Sequence, residues 1–287
     1  VALLRFPKRS YYNDEVFTGK SDVYNYSSSA LKSAKFKWWV TDESGKILKS
    51  GKLNTQNIGN NGVFPAGEFS YALNGISAPQ RLTVHLSVNN TINNSWDIWV
   101  YPRRDLKGLM QSTADVLYTT AFDAKAKQFL AEGKKVVLCP MPAKVIGRSS
   151  NFHNHFWNPI MFKWKPMTLG CLIHAEQKMF DNFITEKHLD WQWWDILAHA
   201  KVIEMDEAPR QLRPFIQVID SYETNHKLGI GFEAKVGNGK LMVLALDTKK
   251  EMEKRPATQQ LLVSIDRYVK SGHFNPQVDV EEAFIES

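Results

Sequence analysis

Hydrophobic and polar residues alternate in short segments over the first hundred positions of the chain. At 35–38 lysines alternate with aromatic residues, so Phe36 and Trp38 lie on the same side of a strand. Turn-forming residues separate such segments, as in an antiparallel sheet with one buried face. The pattern predicts strands at 15–24, 35–41, 47–53, 67–73, 81–88 and 95–101. Six short strands of this kind predict an immunoglobulin-like β-sandwich over residues 1–104.

The pattern changes after Tyr101, where apolar strands begin to alternate with helical segments. A strand at 115–118, a helix at 121–132 and a strand at 135–138 form a βαβ unit. Further strands are predicted at 168–173, 215–220, 228–234 and 240–246, with helices near 191–200 and 256–270. Such alternation favours a sheet covered on both sides. We therefore expect an α/β domain with a mostly parallel sheet, a flavodoxin-like architecture, over residues 105–287.

Charge and composition exclude several classes of function. The chain of 287 residues is 43% hydrophobic and carries a net charge of +6, most of it in the first 105 residues. Because the basic residues are scattered over predicted strands, with no helix that would read a groove, we expect no nucleic-acid partner. No apolar stretch is long enough for a membrane span. Two cysteines without zinc-ligand spacing lead us to expect no metal and no cofactor.

Cys139 is the candidate nucleophile. It follows the predicted strand 135–138, and nucleophiles collect at the carboxyl ends of strands in open α/β sheets. However, Pro140 follows it and has no backbone N–H to help bind an oxyanion. The sequence thus favours a buried, inert cysteine and leaves a thiol-dependent, amidotransferase-like hydrolase as an alternative.

The segment 151–164, NFHNHFWNPIMFKW, is rich in side chains that bind sugars. Tryptophan rings stack on sugar rings, and amide and imidazole groups bond to hydroxyls. Packing in the core is the alternative explanation, and the two histidines lack an identifiable third metal ligand. The candidate carbohydrate-binding residues are His153, Asn154, His155, Trp157, Asn158 and Trp164.

A second aromatic segment lies at 190–200. Asp190 is placed to cap a helix, and Trp194, Leu197 and Ala198 would form its apolar face. Trp191 lies three positions before Trp194, so the two tryptophans are expected on the same face. Most aromatic faces of this kind are buried in a core.

Several longer motifs resemble a known family. They are NSWDIWVYP at 94–102, WQWWDIL at 191–197 and RPFIQVID at 213–220, together with the segments at 151–164, 228–247 and 255–268. These segments are similar to the carboxyl-terminal part of bacterial glycoside hydrolase family 2 proteins of the β-galactosidase-like type, including those that carry a sugar-binding domain. The resemblance implies an immunoglobulin-like domain followed by an α/β domain related to glutamine amidotransferases. It also implies a catalytic barrel elsewhere in the polypeptide, so no catalytic residue is assigned here. A bacterial periplasmic, cell-surface or secreted location is implied in the same way.

The leading hypothesis is a non-catalytic accessory segment whose partner is the catalytic module of the same polypeptide. Because the chain begins at Val1, already at the entry to a strand, we expect a fragment of a longer protein. An exposed apolar patch is expected where the barrel would dock. The alternatives are a carbohydrate-binding module that uses 151–164 and a thiol hydrolase that uses Cys139. Were the chain itself to hydrolyse glycosides, Glu233, Asp220 and Asp247 would be the first carboxylates to test.

Overall fold

A computed structural model describes residues 1–145, 148–150, 152, 168–221 and 223–286 of the chain. The chain divides into two compact units, Val1–Asp105 and Leu106–Ser287. Strands outweigh helices in the described part of the chain, which contains three sheets and few helices. Within that part, no helix combines the length and the apolar character that crossing a membrane requires.

The first unit contains eight strands in two sheets. The strands are β1 (Ala2–Arg5), β2 (Ser10–Tyr12), β3 (Val16–Asn25), β4 (Leu31–Thr41), β5 (Ile47–Ile58), β6 (Gly62–Ala72), β7 (Gln80–Val88) and β8 (Ile92–Tyr101). One sheet has the order β1-β3-β6 and the other β2-β8-β7-β4-β5. Neighbouring strands are antiparallel except β2 and β8, which are parallel. The strands predicted between residues 15 and 101 are present, whereas β1 and β2 were not predicted.

The two sheets of the first unit share one hydrophobic core. Phe36, Trp38 and Val40 alternate inward along β4, and the sequence pattern predicted this for Phe36 and Trp38. The ring of Trp38 stacks on Phe69 of β6 with centroids 4.4 Å apart, which joins the two sheets through the core. Gly51 leaves the space for this indole, because a Cβ there would lie 2.6 Å from Trp38 Nε1.

The second unit is built around a seven-stranded sheet. Its elements are β9 (Val116–Thr119), α1 (Ala124–Ala131), β10 (Lys135–Leu138), β11 (Gly170–Ile173), α2 (Trp193–Ala198), β12 (Ile203–Glu204), β13 (Ile216–Ile219), β14 (Leu228–Val236), β15 (Gly239–Leu244), α3 (Pro256–Lys270) and α4 (Glu282–Glu286). The strand order is β11-β13-β14-β15-β10-β9, and β12 pairs with β14.

The prediction of a mostly parallel, flavodoxin-like sheet is wrong. Only two of the six pairings in the described sheet, β9 with β10 and β10 with β15, are parallel. The physical reason lies in the connections: β14 and β15 are joined by the two residues Gly237 and Asn238, and so short a turn permits only an antiparallel pair. Only β9 and β10 are joined by a helix, α1, between consecutive parallel strands.

Helix α1 packs on the sheet beside this hairpin. Asp123 caps it by accepting a hydrogen bond from Ala126 N at 3.0 Å. Ala126 and Leu130 then face the sheet and join its core. Helix α3 starts at Pro256, a residue suited to the first turn, and buries most of its length. Helix α1 contacts β9, β10 and β15, and α3 is joined to β9 and β10 by hydrogen bonds from Tyr118 Oη to Asp266 and from Lys135 Nζ to Val269 O, each at 2.6 Å.

Candidate functional site

The three parallel strands of the second unit end together. Thr119 of β9 pairs with Leu138 of β10, which in turn pairs with Val243 of β15. Two cavities of about 470 and 510 Å³ open just beyond this row. Both cavities are lined by Thr120, Cys139, Thr248 and Lys249. We name this region the strand-end cleft; the carboxyl ends of parallel strands are where α/β sheets usually bind ligands.

Apolar side chains line both cavities of the strand-end cleft. Leu106, Leu109 and Met110 line one cavity, and Pro140 and Met141 line the other. The polar side chains among them are those of Tyr118, of several threonines, of two lysines and of Asp247. The cleft is therefore suited to hold a small ligand that presents hydroxyl groups.

Cys139 lies in this cleft but is not activated. It is 6% exposed, and burial raises the pKa of its thiol to about 12. Its backbone N–H donates to Thr119 O at 2.8 Å, and Pro140 supplies no N–H. A thiol this rarely ionised is a poor nucleophile, because the thiolate is the reactive form.

Asp247 stabilises a turn at the edge of the strand-end cleft. Its Oδ1 accepts hydrogen bonds from the backbone N–H groups of Lys249 and Lys250, both at 2.9 Å. Burial acts to raise the pKa of Asp247, but these bonds and the charge of Arg255 outweigh burial and lower it. The carboxylate thus stays ionised and shapes a turn.

Asp220 is enclosed by donors. Its side chain is 1% exposed and pairs with Arg148 Nη1 at 2.6 Å. Thr224 Oγ1 and the backbone N–H groups of Ser221 and His226 also donate to it, each at 2.8 Å. Burial opposes ionisation, but these donors lower the pKa of Asp220 overall. Such a carboxylate organises the loop that follows β13.

Glu233 faces α3 from β14. Its Oε2 accepts a hydrogen bond from Tyr268 Oη at 2.8 Å, and burial raises the pKa of Glu233. Glu233, Asp220 and Asp247 are thus held by three different sets of partners. Their described hydrogen bonds do not join any two of them as an acid and base pair.

Family models match both parts of the chain. A model described as a domain of unknown function, DUF8487, matches residues 117–287, and a second, DUF8488, matches residues 15–102. The first spans more than half of the chain. The chain belongs to the DUF8487 family. No curated protein matches it in sequence.

Solved structures resemble the DUF8487 chain only remotely. Pseudomonas fluorescens alkylpurine DNA glycosylase AlkC, bound to DNA with an abasic-site analogue, is 14% identical over 34% of this chain and 29% of its own, with a TM-score of 0.29. The CARDB domain of the PF1109 protein from Pyrococcus furiosus, in complex with di-metal ions, is 12% identical over 36% and 92%, with a TM-score of 0.28. Parabacteroides merdae β-glucuronidase is 15% identical over 48% and 20%, with a TM-score of 0.26. The chain thus spans less than a third of the glycosylase, and similarities this weak carry no argument about function.

The predicted carbohydrate-binding residues of the DUF8487 chain, His153, Asn154, His155, Trp157, Asn158 and Trp164, lie outside the described residues. The described residue Phe152 lies beside Trp191, with ring centroids 5.2 Å apart. Trp191 and Trp194 are 53% and 56% exposed.

The apolar face predicted for the helix at 190–200 is correct at Leu197 and wrong at Trp194 and Ala198, which are exposed. Helix α2 begins at Trp193 and buries Trp193, Ile196 and Leu197. The indole of Trp193 donates to Thr185 Oγ1 at 2.9 Å, which fixes the buried ring one position before the expected Trp194. Sequence reasoning placed Trp191 and Trp194 together but did not predict that both are exposed.

Proposed function

We propose that this chain is a non-catalytic accessory segment of a larger, exported glycoside hydrolase of family 2, of the β-galactosidase-like type. Its partner in this proposal is the catalytic barrel of the same polypeptide. The first unit is proposed to be an immunoglobulin-like sandwich that serves as a spacer. The two sheets around one core support this proposal for the first unit.

The state of Cys139 carries the non-catalytic part of the proposal. It lies where the carboxyl ends of parallel strands meet, the position of a nucleophile in an amidotransferase-like domain. Burial raises the pKa of its thiol to about 12, and Pro140 removes the adjacent N–H donor. Because this position has neither a thiolate nor an N–H donor for an oxyanion, we infer that the strand-end cleft holds a ligand or is inert but does not use Cys139 as a nucleophile.

Exposed apolar side chains near the β11 edge of the seven-stranded sheet support contact of the second unit with a further module. In the pairing of β11 with β13, Gly170 lies opposite Ile219 and Leu172 lies opposite Gln217. Leu172 and Ile219 therefore lie on the same face of these two strands. These two side chains are 46% and 38% exposed. These two neighbouring side chains offer apolar surface for a further module to cover.

The first experiment is to determine the whole open reading frame that encodes the chain. Its full product and the chain alone are then expressed separately and compared. We expect a (β/α)8 barrel in the longer product, and hydrolysis of nitrophenyl glycosides by that product only. A reading frame without a barrel would disprove the proposal. Activity in the chain alone would also disprove it and would make Glu233, Asp220 and Asp247 the first positions to substitute.

Carbohydrate binding by the second unit is the second candidate function. The observation that favours it is the exposure of Trp191 and Trp194, because an exposed indole offers a flat apolar surface on which a sugar ring stacks. Phe152 beside Trp191 connects these rings to the segment predicted to bind sugar.

Calorimetric titration with galactosides and polysaccharides tests this second candidate. We expect heat of binding from the chain and a weakening of about 10-fold or more in the Trp191→Ala, Trp194→Ala variant. Tyr26→Ala is the matched control, because Tyr26 is an aromatic residue of the first unit that is 74% exposed. Absence of heat with every ligand, or an equal loss in the Tyr26 variant, would contradict carbohydrate binding by the tryptophans.

A further inference from the structure

Two carboxylates and an imidazole of the second unit meet at one point of the surface. Glu204, Asp206 and His226 place one potential ligand atom each within 4.8 Å of one another. His226 Nδ1 donates to Asp206 Oδ2 at 2.5 Å and lies 3.5 Å from Glu204 Oε1. We name these three residues the carboxylate–histidine cluster.

Backbone pairing brings the members of this cluster together. Met205 lies between the two acidic residues and is fully buried, so Glu204 and Asp206 both point away from the core. Pairing of Glu204 with Leu228, extended by the bond from Met205 N to Lys227 O at 2.7 Å, sets Asp206 opposite His226.

Further contacts hold the ligand atoms in place. Lys227 N donates to Asp206 Oδ1 at 2.7 Å, which orients the carboxylate. The backbone N–H of His226 donates to the buried carboxylate of Asp220 at 2.8 Å, and Arg148 pairs with that carboxylate. Supporting bonds of this kind are what orient ligands in metal sites.

The cluster also borders open space. Glu204 and Asp206 line a cavity of about 650 Å³, together with Glu207, Phe122 and Phe232. An ion at the cluster therefore has room on the cavity side for water or for a ligand atom to complete its coordination. Three protein ligands with an open position are the arrangement found in catalytic and ligand-binding zinc sites.

We propose that the carboxylate–histidine cluster binds one divalent transition-metal ion, with Zn²⁺ as the preferred ion. One imidazole nitrogen and two carboxylate oxygens suit Zn²⁺ better than Mg²⁺ or Ca²⁺, which prefer oxygen ligands alone. Ligand atoms around four-coordinate zinc lie about 3.3 Å apart, so the 3.5 Å between His226 Nδ1 and Glu204 Oε1 fits as it stands and the 2.5 Å between His226 Nδ1 and Asp206 Oδ2 has to lengthen. The ion takes the place of the proton that His226 and Asp206 share. This proposal is independent of the proposed function.

Calorimetric titration of the metal-stripped chain with ZnCl₂, at about pH 8 where protons compete least for imidazole, tests the site. We expect one ion per chain and a dissociation constant raised about 10-fold or more in Glu204→Gln and His226→Gln. Glu204→Gln is the more informative variant, since the side chain of Glu204 is 54% exposed and contacts His226 only at 3.5 Å. Unchanged circular dichroism of this variant excludes misfolding as the cause.

Two controls separate this site from other zinc ligands of the chain. Glu207→Gln removes a carboxylate that lines the same cavity but is outside the cluster, and it should leave the dissociation constant unchanged. A His153→Gln, His155→Gln double variant should also bind as the parent does. Three results would each overturn the proposal. They are a lack of binding by the parent chain at about 1 mM Zn²⁺, cluster variants that bind Zn²⁺ as tightly as the parent does, and loss of binding in the His153, His155 double variant.

Discussion

Both cysteines of the chain are shielded from water. Cys139 and Cys171 are 6% and 4% exposed, and burial raises the pKa of each thiol to about 12. They belong to different parts of the sheet, since Cys139 follows β10 and Cys171 lies in β11. Sequence position alone made Cys139 a candidate nucleophile, whereas burial, which depends on the whole fold, determines its chemistry.

Alkylation by iodoacetamide measures the reactivity of the two thiols directly. Because a pKa of about 12 lies three units above the ordinary 9.0, the thiolate fraction at neutral pH falls about 1000-fold. We expect Cys139 and Cys171 in the folded chain to react slower than free cysteine by at least that factor, as followed by mass spectrometry. In guanidinium both should react at the free rate, and reaction of folded Cys139 at that rate would refute its assignment as inert.

Glu233 provides a test of pH-dependent stability. Its pKa in the folded state is raised by burial, so the folded chain favours the protonated form. The stability linked to this group is fully present below its unfolded pKa and is lost as pH rises through the raised, folded-state value. Glu233→Gln, which keeps an acceptor for Tyr268 Oη, should therefore be more stable than the parent at pH 7 and equal to it near pH 4.

Urea unfolding at the two pH values checks this prediction. Glu68→Gln is the matched control, because Glu68 is 67% exposed and its ion pair with Lys20 is also exposed. We expect the control to change the free energy of unfolding by less than about 0.5 kcal/mol at either pH. A Glu233 variant less stable than the parent at pH 7 would show that the ionised carboxylate is stabilising.

At the scale of elements, helices α2 and α3 are joined by a buried charge. Arg255, 3% exposed, donates from Nε to Asp195 Oδ2 at 2.8 Å, and Thr258 Oγ1 donates to the same oxygen at 2.8 Å. Arg255 also donates to Asp247 O at 2.8 Å, so the pair connects both helices to the loop beside the strand-end cleft. Removal of one partner leaves a buried charge without its counterion.

Asp195→Ala should therefore lower the free energy of unfolding by about 2–3 kcal/mol, less than for a fully buried pair because Asp195 is 29% exposed. Lys254→Ala is the control, since its ion pair with Glu251 joins side chains that are 68% and 51% exposed. The control should change stability by less than about 0.5 kcal/mol in the same urea titration. Equal effects of the two variants would contradict a structural role for the buried pair.

The elements themselves could be predicted from local sequence, but their pairing could not. The strand Lys135–Leu138 and the helix Pro256–Lys270 have the predicted bounds, because apolar periodicity and a first-turn proline are local signals. The mostly parallel sheet was predicted from the alternation of strands and helices alone, and this alternation does not show that Gly237 and Asn238 join an antiparallel pair. Helix α2 shows the same limit, since a shift of one residue exchanged the buried Trp193 for the exposed Trp194.

The candidate sites depend even more on long-range pairing. The position of Cys139 after a strand was visible in the sequence and led to the strand-end cleft. The carboxylate–histidine cluster was not found, because about twenty residues separate Asp206 from His226 and β12 has only two residues. An isolated two-residue strand carries no periodic signal, so only the pairing of β12 with β14 shows that these side chains meet.

At the scale of the whole molecule, each compact unit has its own hydrophobic core. The core of Val1–Asp105 is formed by residues of its two sheets, and a core of Leu106–Ser287 lies between the mixed sheet and α1. The two family models follow the same division, with DUF8488 within the first unit and DUF8487 within the second. A unit with its own core contains the apolar contacts needed to fold alone.

We therefore expect chains 1–105 and 106–287, produced separately, to fold cooperatively. Urea titration followed by near-ultraviolet circular dichroism reports on each, since Trp38 is packed in the first core and Trp193 is buried in the second unit. The slope of unfolding free energy against urea should be about 1–3 kcal/mol/M and larger for the longer chain, which exposes more surface. A chain 106–287 without near-ultraviolet signal would show that its fold needs residues 1–105. That result would contradict a spacer role for the first unit, because a spacer separates modules that are already stable.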